Sequence, residues 1–158
     1  MHIYKMIYAS PVGHLTLTSN DHFLLSVTFG KSEECSSELP NIPAIKLAVQ
    51  WLDAYFAGTP STLQNLPLDP KGTDFQKICW QELLQIPYGE TVTYRELANR
   101  IAKRMNLTRM SCQAVGQAIG KNPIAIIIPC HRVVGSNGKL TGYAWGLETK
   151  QQLLYHEK

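Results

Sequence analysis

The feature that most restricts the fold is a fourteen-residue segment near the middle of the chain, from Thr59 to Gly72, which contains three prolines and a glycine. Proline lacks a backbone donor and clashes with the preceding helical turn, so a helix cannot propagate through this segment. The segment also offers few residues that pair well in a strand. It therefore predicts a linker between two subdomains, residues 1–70 and 71–158, in a chain long enough for two small domains.

The first subdomain begins with alternating apolar and polar side chains over residues 3–29, as in HLTLTS and LLSVTF. This alternation is typical of half-buried strands. Turn-forming residues at positions 11–13 and 19–21 divide the stretch into three short runs. The pattern predicts a small antiparallel meander.

A helix is predicted after the meander, from Pro43 to the glycine at position 58. Proline fits the first helical turn, and glycine is a common residue just past a helix end. One face of this helix collects apolar side chains: Ile45, Ala48, Leu52 and Phe56.

The second subdomain is predicted to be mainly helical. Thr73 with Gln76, and Thr93 with Glu96, have the spacing of capping boxes, in which each side chain bonds the other residue's backbone N–H. A third helix is predicted from about Arg109 to Ile119. Helix, connector and helix are compatible with a helix-turn-helix motif, although this connector exceeds the usual 3–4 residues. The predicted fold class is therefore mixed α/β.

Charge is distributed unevenly between the two parts. Residues 1–70 hold three Lys/Arg against six Asp/Glu, whereas residues 71–158 hold twelve against six. Four basic residues fall within one stretch of ten: Arg100, Lys103, Arg104 and Arg109. This asymmetry favours a polyanionic partner for the second part, and a solvated helix end is the alternative interpretation.

The cysteines and the N-terminus indicate a cytoplasmic protein without a structural metal. The four cysteines have no CxxC pair and no zinc-ligand spacing, so we expect reduced thiols, no metal and no cofactor. The first residues lack the apolar core of a signal peptide. No stretch approaches the roughly 18 apolar residues of a membrane span, so no membrane partner is expected.

The predicted third helix has an unusually small-residue composition at Ser111, Cys112, Ala114, Gly116 and Ala118. Such a face lets another surface approach the helix backbone closely. It is compatible with tight packing on a sheet, or with a helix that lies against a groove or a flat ligand.

The sequence IPCHR places Cys130 next to His131 and Arg132, after the β-branched run IAIII. The run predicts a buried strand that Pro129 ends, which would present Cys130 at a site. A cysteine becomes nucleophilic as the thiolate, which a base or a positive environment favours. Neighbouring residues of a strand point to opposite faces, so pairing of Cys130 with His131 needs a turn or a bridging water.

The chain as a whole resembles the O(6)-alkylguanine-DNA alkyltransferases, also called methylated-DNA–protein-cysteine methyltransferases. The resemblance extends over nearly the whole chain, in the motifs SPVG, YFAG, GTDFQKICWQELLQIPYGETVTYRELA, AVGQAIGKNP, IPCHRVVGSNG, GYAWG and LLYHE. It implies a ribonuclease H-like first domain and a winged-helix-like DNA-binding second domain. It also implies a monomer that takes an alkyl group irreversibly from guanine, once per molecule.

The resemblance implies roles for individual residues. Cys130 matches the alkyl acceptor, His131 the base that acts through a water, and Glu157 the carboxylate that orients this histidine. Tyr94 matches the residue that protonates the leaving guanine, and Asn122 the asparagine between the recognition helix and the acceptor. The residues expected to hold the guanine are Val133, Tyr143, Ala144 and Trp145.

The resemblance also implies contacts with the minor groove of double-stranded DNA, from which the target base is flipped. The residues expected there are Arg109, Ser111, Cys112, Gln113, Ala114 and Gly116. The chain departs from the family at Gln113, where an arginine is usual, and in a longer connector before this position. Two other functions are alternatives. A cysteine hydrolase would use Cys130 and His131 and would turn over, whereas the non-catalytic sensors of alkylated DNA lack the acceptor cysteine, so Cys130 argues against a sensor.

Overall fold

The computed structural model describes residues 2–32, 38–59 and 66–158, which fall into two units. One unit consists of Met1–Lys71 with Pro123–Ala125, and the other of Gly72–Asn122 with Ile126–Lys158. Cys35 and residues 60–65 of the predicted linker lie outside the described residues.

The first unit contains the predicted antiparallel meander. Its strands are β1 (Tyr4–Ser10), β2 (Gly13–Ser19) and β3 (Leu24–Phe29), in the order β1-β2-β3. On the central strand, Leu17 lies opposite Met6 on one side and Val27 on the other. These three side chains are buried, so the strand alternation of the sequence marks the core face as predicted.

The helix α1 (Pro43–Phe56) packs on this sheet, with Pro43 in its first turn as predicted. Three of the four residues predicted on its apolar face are buried, and Ala44, Trp51 and Tyr55 are buried as well. Tyr55 is buried and stacks on Trp51, whereas Phe56 is only half-buried. The predicted face is therefore incomplete, because it leaves out Trp51 and Tyr55 and includes Phe56, which is only half-buried.

The second unit is mainly helical. Its helices are α2 (Asp74–Leu83), α3 (Tyr94–Arg104), α4 (Cys112–Gly120) and α5 (Leu147–His156). Two short strands, β4 (Val92–Thr93) and β5 (Val133–Val134), pair in parallel. The indole of the buried Trp80 on α2 donates to the Ala118 carbonyl of α4 at 3.0 Å and so joins two helices. The predicted mixed α/β class, a small antiparallel sheet followed by a helical part, is confirmed.

Both predicted capping boxes are present. The Thr73 hydroxyl accepts from the backbone N–H of Gln76 at 3.1 Å, and the Thr93 hydroxyl accepts from that of Glu96 at 3.0 Å. In each box, the side-chain oxygen of Gln76 or Glu96 accepts a hydrogen bond from the backbone N–H of the threonine. Local side chains therefore fix where α2 and α3 begin.

The start of α4 differs from the prediction. The Ser111 side chain caps the helix by accepting from the Ala114 N–H at 3.1 Å, so α4 begins at Cys112. Arg109 lies before the cap, exposed in the connector between α3 and α4. The predicted start at about Arg109 was wrong because the Ser111 cap sets the first turn of the helix three residues later.

Within the part of the chain that the structure describes, every helix is too short or too polar to cross a membrane.

We predict that Thr93→Ala lowers the free energy of unfolding by about 1 kcal/mol, because the cap of α3 is lost. The matched control is Thr91→Ala, which removes an exposed threonine two residues earlier. Urea unfolding of the two variants measures the difference. Equal midpoints would contradict the role of the cap.

Candidate active site

A tight turn, not a strand, presents Cys130. Pro123–Ala125 pair with β3 through Val27, and after them the chain turns up to Pro129. Ile126 adopts a φ of 70°, a left-handed conformation that is rare for a β-branched residue. The predicted strand through IAIII was therefore wrong, although all five of its residues are buried.

The side chain of Asn122 forms a hydrogen bond with the backbone of this turn. Its side-chain amide donates to the Ile128 carbonyl at 2.8 Å and contacts the Cys130 sulfur at 3.3 Å. Apolar periodicity cannot reveal such a side-chain bond, which is why a continuous β-branched run is ambiguous. Asn122 thus fixes both the turn and the thiol.

The Cys130 thiol is nearly enclosed, with 6% of the residue exposed. Burial raises the pKa of this thiol, while the Asn122 amide, the Lys150 charge and the Tyr143 hydroxyl oppose the rise. A thiol with a raised pKa is protonated at neutral pH. Its use as a nucleophile therefore requires a base.

His131 is the buried titratable residue next to Cys130 in the chain. It lies in a 3-10 turn, Cys130–Arg132, and its side chain is fully buried. Its Nε2 lies 2.6 Å from the Glu157 Oε2. Burial lowers the pKa of His131, against the effect of the hydrogen bond to Glu157, so the ring is neutral and Nε2 donates to the carboxylate. The other nitrogen, Nδ1, is buried and makes no hydrogen bond to the described residues, so its lone pair can accept a proton.

The Glu157 carboxylate is held by more than the histidine. Arg132 donates to both of its oxygens, from Nε to Oε1 at 2.8 Å and from Nη2 to Oε2 at 3.2 Å. The backbone N–H of Gly89 donates to Oε1 at 3.1 Å. Arg132 also donates to the Ile86 carbonyl at 2.8 Å and lies over the Tyr88 ring. Sequence reasoning missed this arginine as a partner of Glu157; its position beside His131 in PCHR was the available signal.

The thiol opens onto a cavity of about 150 Å³. The cavity has three sides besides Cys130: the ring of Tyr94, the inner face of α4, and the loop 142–144. Its lining residues are Tyr94, Gly116, Ile119, Gly120, Cys130, Gly142, Tyr143 and Ala144. An added Cβ at Gly116 would touch the Tyr94 ring at 3.7 Å, so the small residues of α4 leave room for this wall.

Tyr94 is one of two tyrosines on the wall of the cavity. Its hydroxyl donates to the Thr141 carbonyl at 2.9 Å. Burial raises its pKa, so the hydroxyl keeps its proton at neutral pH and remains a donor.

Of the four residues expected to hold a guanine, two line the cavity and two lie outside its lining. Tyr143 and Ala144 line the cavity. Trp145 packs edge-to-face on Tyr143, with ring centroids 5.5 Å apart, and is not a lining residue. Val133 is buried in β5, opposite Val92.

The residues expected to contact DNA lie along the start and the outer face of α4. Ser111 caps the helix, Cys112 begins it, and Gln113 is exposed. Ala114 is half-buried and borders a shallow surface depression with Gln117. Gly116 faces the cavity instead, so the small-residue helix serves both an exposed surface and the cavity wall.

These features define a class of protein: a mixed α/β protein in which a buried cysteine is followed by a buried, neutral histidine that is hydrogen-bonded to a buried carboxylate. The residue types are those of a nucleophile, a base and an orienting carboxylate. The sequence identifies the family. Residues 3–70 match the ribonuclease-like domain, and residues 74–158 the DNA-binding domain, of 6-O-methylguanine DNA methyltransferase. The chain belongs to the 6-O-methylguanine DNA methyltransferase family.

Individual relatives agree over the full length of the chain. A methylated-DNA–protein-cysteine methyltransferase of Methanosarcina barkeri is 45% identical, covering 99% of this chain and 98% of the relative. One of Haemophilus influenzae is 41% identical, covering 99% and 87%. The crystal structure of Mycobacterium tuberculosis OGT in complex with DNA is similar with a TM-score of 0.82 and 43% identity, covering 98% of this chain and 92% of that one.

We predict that Arg132→Met lowers the free energy of unfolding by about 3–5 kcal/mol, because the buried Glu157 carboxylate loses the two hydrogen bonds and the positive charge of the guanidinium. The matched control is Arg104→Met, whose arginine pairs with Glu82 at 3.5 Å with 40% of its side chain exposed. An exposed pair contributes about 0–1 kcal/mol. Denaturant unfolding of the two variants measures the contrast, and equal losses would show that Arg132 does not stabilise the carboxylate.

Proposed function

We propose that this protein repairs alkylated DNA by transferring the alkyl group of an O(6)-alkylguanine, mainly methyl, to its own Cys130. The observation that carries the proposal is a buried thiol that opens onto a small cavity and lies beside a neutral histidine. The relatives' names, methylated-DNA–protein-cysteine methyltransferases, support this reaction.

The transfer begins with removal of the thiol proton. A water between Cys130 and the free Nδ1 of His131 relays this proton to the ring, and Glu157 stabilises the imidazolium that forms. The sulfur then attacks the alkyl carbon, the bond from this carbon to the guanine oxygen breaks, and its electron pair stays with the purine. Tyr94 donates its proton to the leaving guanine and regains one from solvent. His131 releases to solvent the proton that it accepted from the thiol.

The reaction ends with a thioether at Cys130. A thioether has no proton to lose and is a poor leaving group, so the site is consumed after one transfer. This property separates the proposal from a cysteine hydrolase, in which water releases the acyl group and restores the thiol.

The target base must leave the duplex to reach this thiol, because the guanine oxygen is inaccessible to a buried group while the base is stacked. We propose that α4 lies in the minor groove, where Ser111, Cys112, Gln113 and Ala114 approach the DNA and Gly116 borders the path of the flipped base. Arg109, exposed in the connector, contacts a phosphate, which positions the protein without reading sequence.

Other residues act by positioning. Asn122 holds the turn that carries the thiol, and Arg132 fixes the carboxylate that orients His131. Backbone groups at Val133 and Ala144 read the guanine, Tyr143 closes over it, and Trp145 supports Tyr143 from behind. The protein acts as a monomer in the cytoplasm on double-stranded DNA, and the chemistry needs no metal or cofactor.

Intact-mass measurement after incubation with a duplex that contains O(6)-methylguanine tests the function. We predict a gain of one methyl group per protein molecule, mapped to Cys130, and no gain for Cys130→Ala. The control Cys112→Ala, which removes a half-buried thiol on α4, should reach the same final stoichiometry. Repeated turnover, or methyl on another cysteine, would refute the proposal.

We predict that His131→Ala and Glu157→Gln each slow transfer by roughly 10²-fold or more, because both serve removal of one proton. Their effects should not multiply in the double variant, since the two groups act as a unit. Glu148→Gln, a change of an exposed glutamate on the same helix, is the matched control and should leave the rate unchanged. Single-turnover rates measure all four, and a double variant that loses the product of the two factors would show independent roles.

A further inference from the structure

We propose that Leu107, in the connector between α3 and α4, is an apolar wedge that enters the minor groove of duplex DNA and unstacks base pairs beside the target guanine. The inference rests on the proposed function, in which α4 lies in that groove. It adds a residue that acts on the duplex and takes no part in the chemistry at Cys130.

Leu107 is an apolar side chain held at the surface. It has 47% of its surface exposed, whereas Leu97 and Ile101 of the preceding helix are fully buried. A single exposed leucine is common in soluble proteins, so exposure alone assigns no role to it. The role follows from how the residue is held, which charges surround it and where the connector leads.

The end of α3 fixes the backbone of Leu107. Asn106 adopts a φ of 63°, and its N–H donates to the Lys103 carbonyl at 3.2 Å. The Leu107 N–H donates to the Ala102 carbonyl at 2.8 Å, which completes the Schellman motif that ends many helices. A side chain at this place in the motif often packs back on the helix, and Leu107 and Ala102 do border one shallow depression. Such packing is the alternative to a wedge, and it predicts an effect on stability without a preference for duplex DNA.

Positive charge flanks Leu107 on both sides. Lys103 lies four residues before it and Arg109 two residues after it, and both are exposed. Among the described residues neither forms a salt bridge, whereas Arg104 pairs with Glu82. An apolar side chain between two such cations matches a surface on which phosphates border an apolar interior. The minor groove is such a surface, because basic residues contact its phosphates and apolar side chains insert between its stacked bases.

The connector leads directly to the helix that the proposed function places on DNA. Leu107 is four residues before Ser111, the cap of α4. An extended chain spans at most about 3.3–3.6 Å per residue, so the two Cα atoms lie within about 14 Å of each other. Bases of one strand are spaced by about 3.4 Å, so this reach corresponds to about four base pairs. Leu107 therefore acts on base pairs near the target, and it is not a lining residue of the cavity.

A leucine wedge has a specific consequence for the substrate. Its side chain offers no hydrogen bond, so it reads no sequence, but it unstacks a base step and bends the duplex. A base whose surroundings are already disturbed costs less to flip. The wedge therefore favours extrusion of the base from a duplex and is not needed on a single strand, where the base is unpaired.

The test compares Leu107→Ala with Leu39→Ala, which truncates a leucine of the first unit that is 50% exposed. Single-turnover methyl transfer is measured from a lesion in a duplex and from the same lesion in a single strand. A third measurement needs no transfer, because the proteins also carry Cys130→Ala. It records the fluorescence of 2-aminopurine placed within about four base pairs of the lesion, which rises when this base unstacks.

We predict that Leu107→Ala slows transfer from the duplex roughly 10-fold and changes transfer from the single strand less than about twofold, because only the duplex must be unstacked. The 2-aminopurine signal should fall toward that of free DNA. Leu107→Met keeps an apolar side chain of similar volume and should match the wild type. Leu39→Ala should match the wild type in all three measurements.

Equal slowing on the duplex and the single strand would overturn the proposal, because lost packing at the end of α3 gives that result. A 2-aminopurine signal that does not depend on Leu107 would also overturn it. Leu107→Gln keeps the length of the side chain without its apolar character and serves if the alanine variant does not fold. Wild-type transfer from the duplex by this variant would refute the wedge.

A different partner gives a different result. Binding to vesicles of anionic phospholipid that is lost in Leu107→Ala, with wild-type rates on both DNA substrates, would assign the residue to a membrane surface and refute the wedge. The proposed function fails separately. Wild-type protein that methylates Cys130 from neither substrate would refute the proposed function, and the fluorescence measurement would still decide the role of Leu107.

Discussion

The site depends on one buried carboxylate, that of Glu157 at the end of α5. A carboxylate with 1% of its side chain exposed is stable only if charges and donors replace the water that it loses. Two segments supply them: the 3-10 turn provides His131 and Arg132, and the loop before β4 provides the Gly89 N–H. The carboxylate therefore links α5, the turn that carries Cys130 and the loop before β4. It also selects the ring nitrogen of His131 that keeps the proton.

The burial of Cys130 affects the protonation of its thiol. Burial favours the neutral thiol, which protects it from adventitious reaction, and the same enclosure strengthens the effect of any charge placed nearby. The cavity in front of the thiol has a volume of about 150 Å³ and is lined by residues of α4 and of the loop 142–144. The ring of Tyr94, residues of α4 and the loop 142–144 surround the opening in front of the Cys130 sulfur.

Elements with a local cause could be predicted from the sequence. The meander and the two capping boxes follow from alternation and from paired polar residues three positions apart, and both are present. The strand through IAIII could not be excluded, because its turn depends on a side-chain bond from Asn122 to Ile128. For Arg132 and Lys150 the difficulty is similar: a basic residue in a sequence suggests a solvated surface, and only the fold shows that these two are buried. The roles of Cys130, His131 and Glu157 were implied by resemblance, whereas their contacts required the structure.

The central claim is that Glu157 holds His131 as a neutral base with its proton on Nε2. Nitrogen-15 NMR of histidine-labelled protein measures this directly, because the two ring nitrogens have different shifts in each tautomer and in the imidazolium. The account predicts that, near neutral pH and before reaction, Nε2 carries the proton and Nδ1 carries none. Protons on both nitrogens, which would mean an imidazolium paired with a resting thiolate, would contradict it.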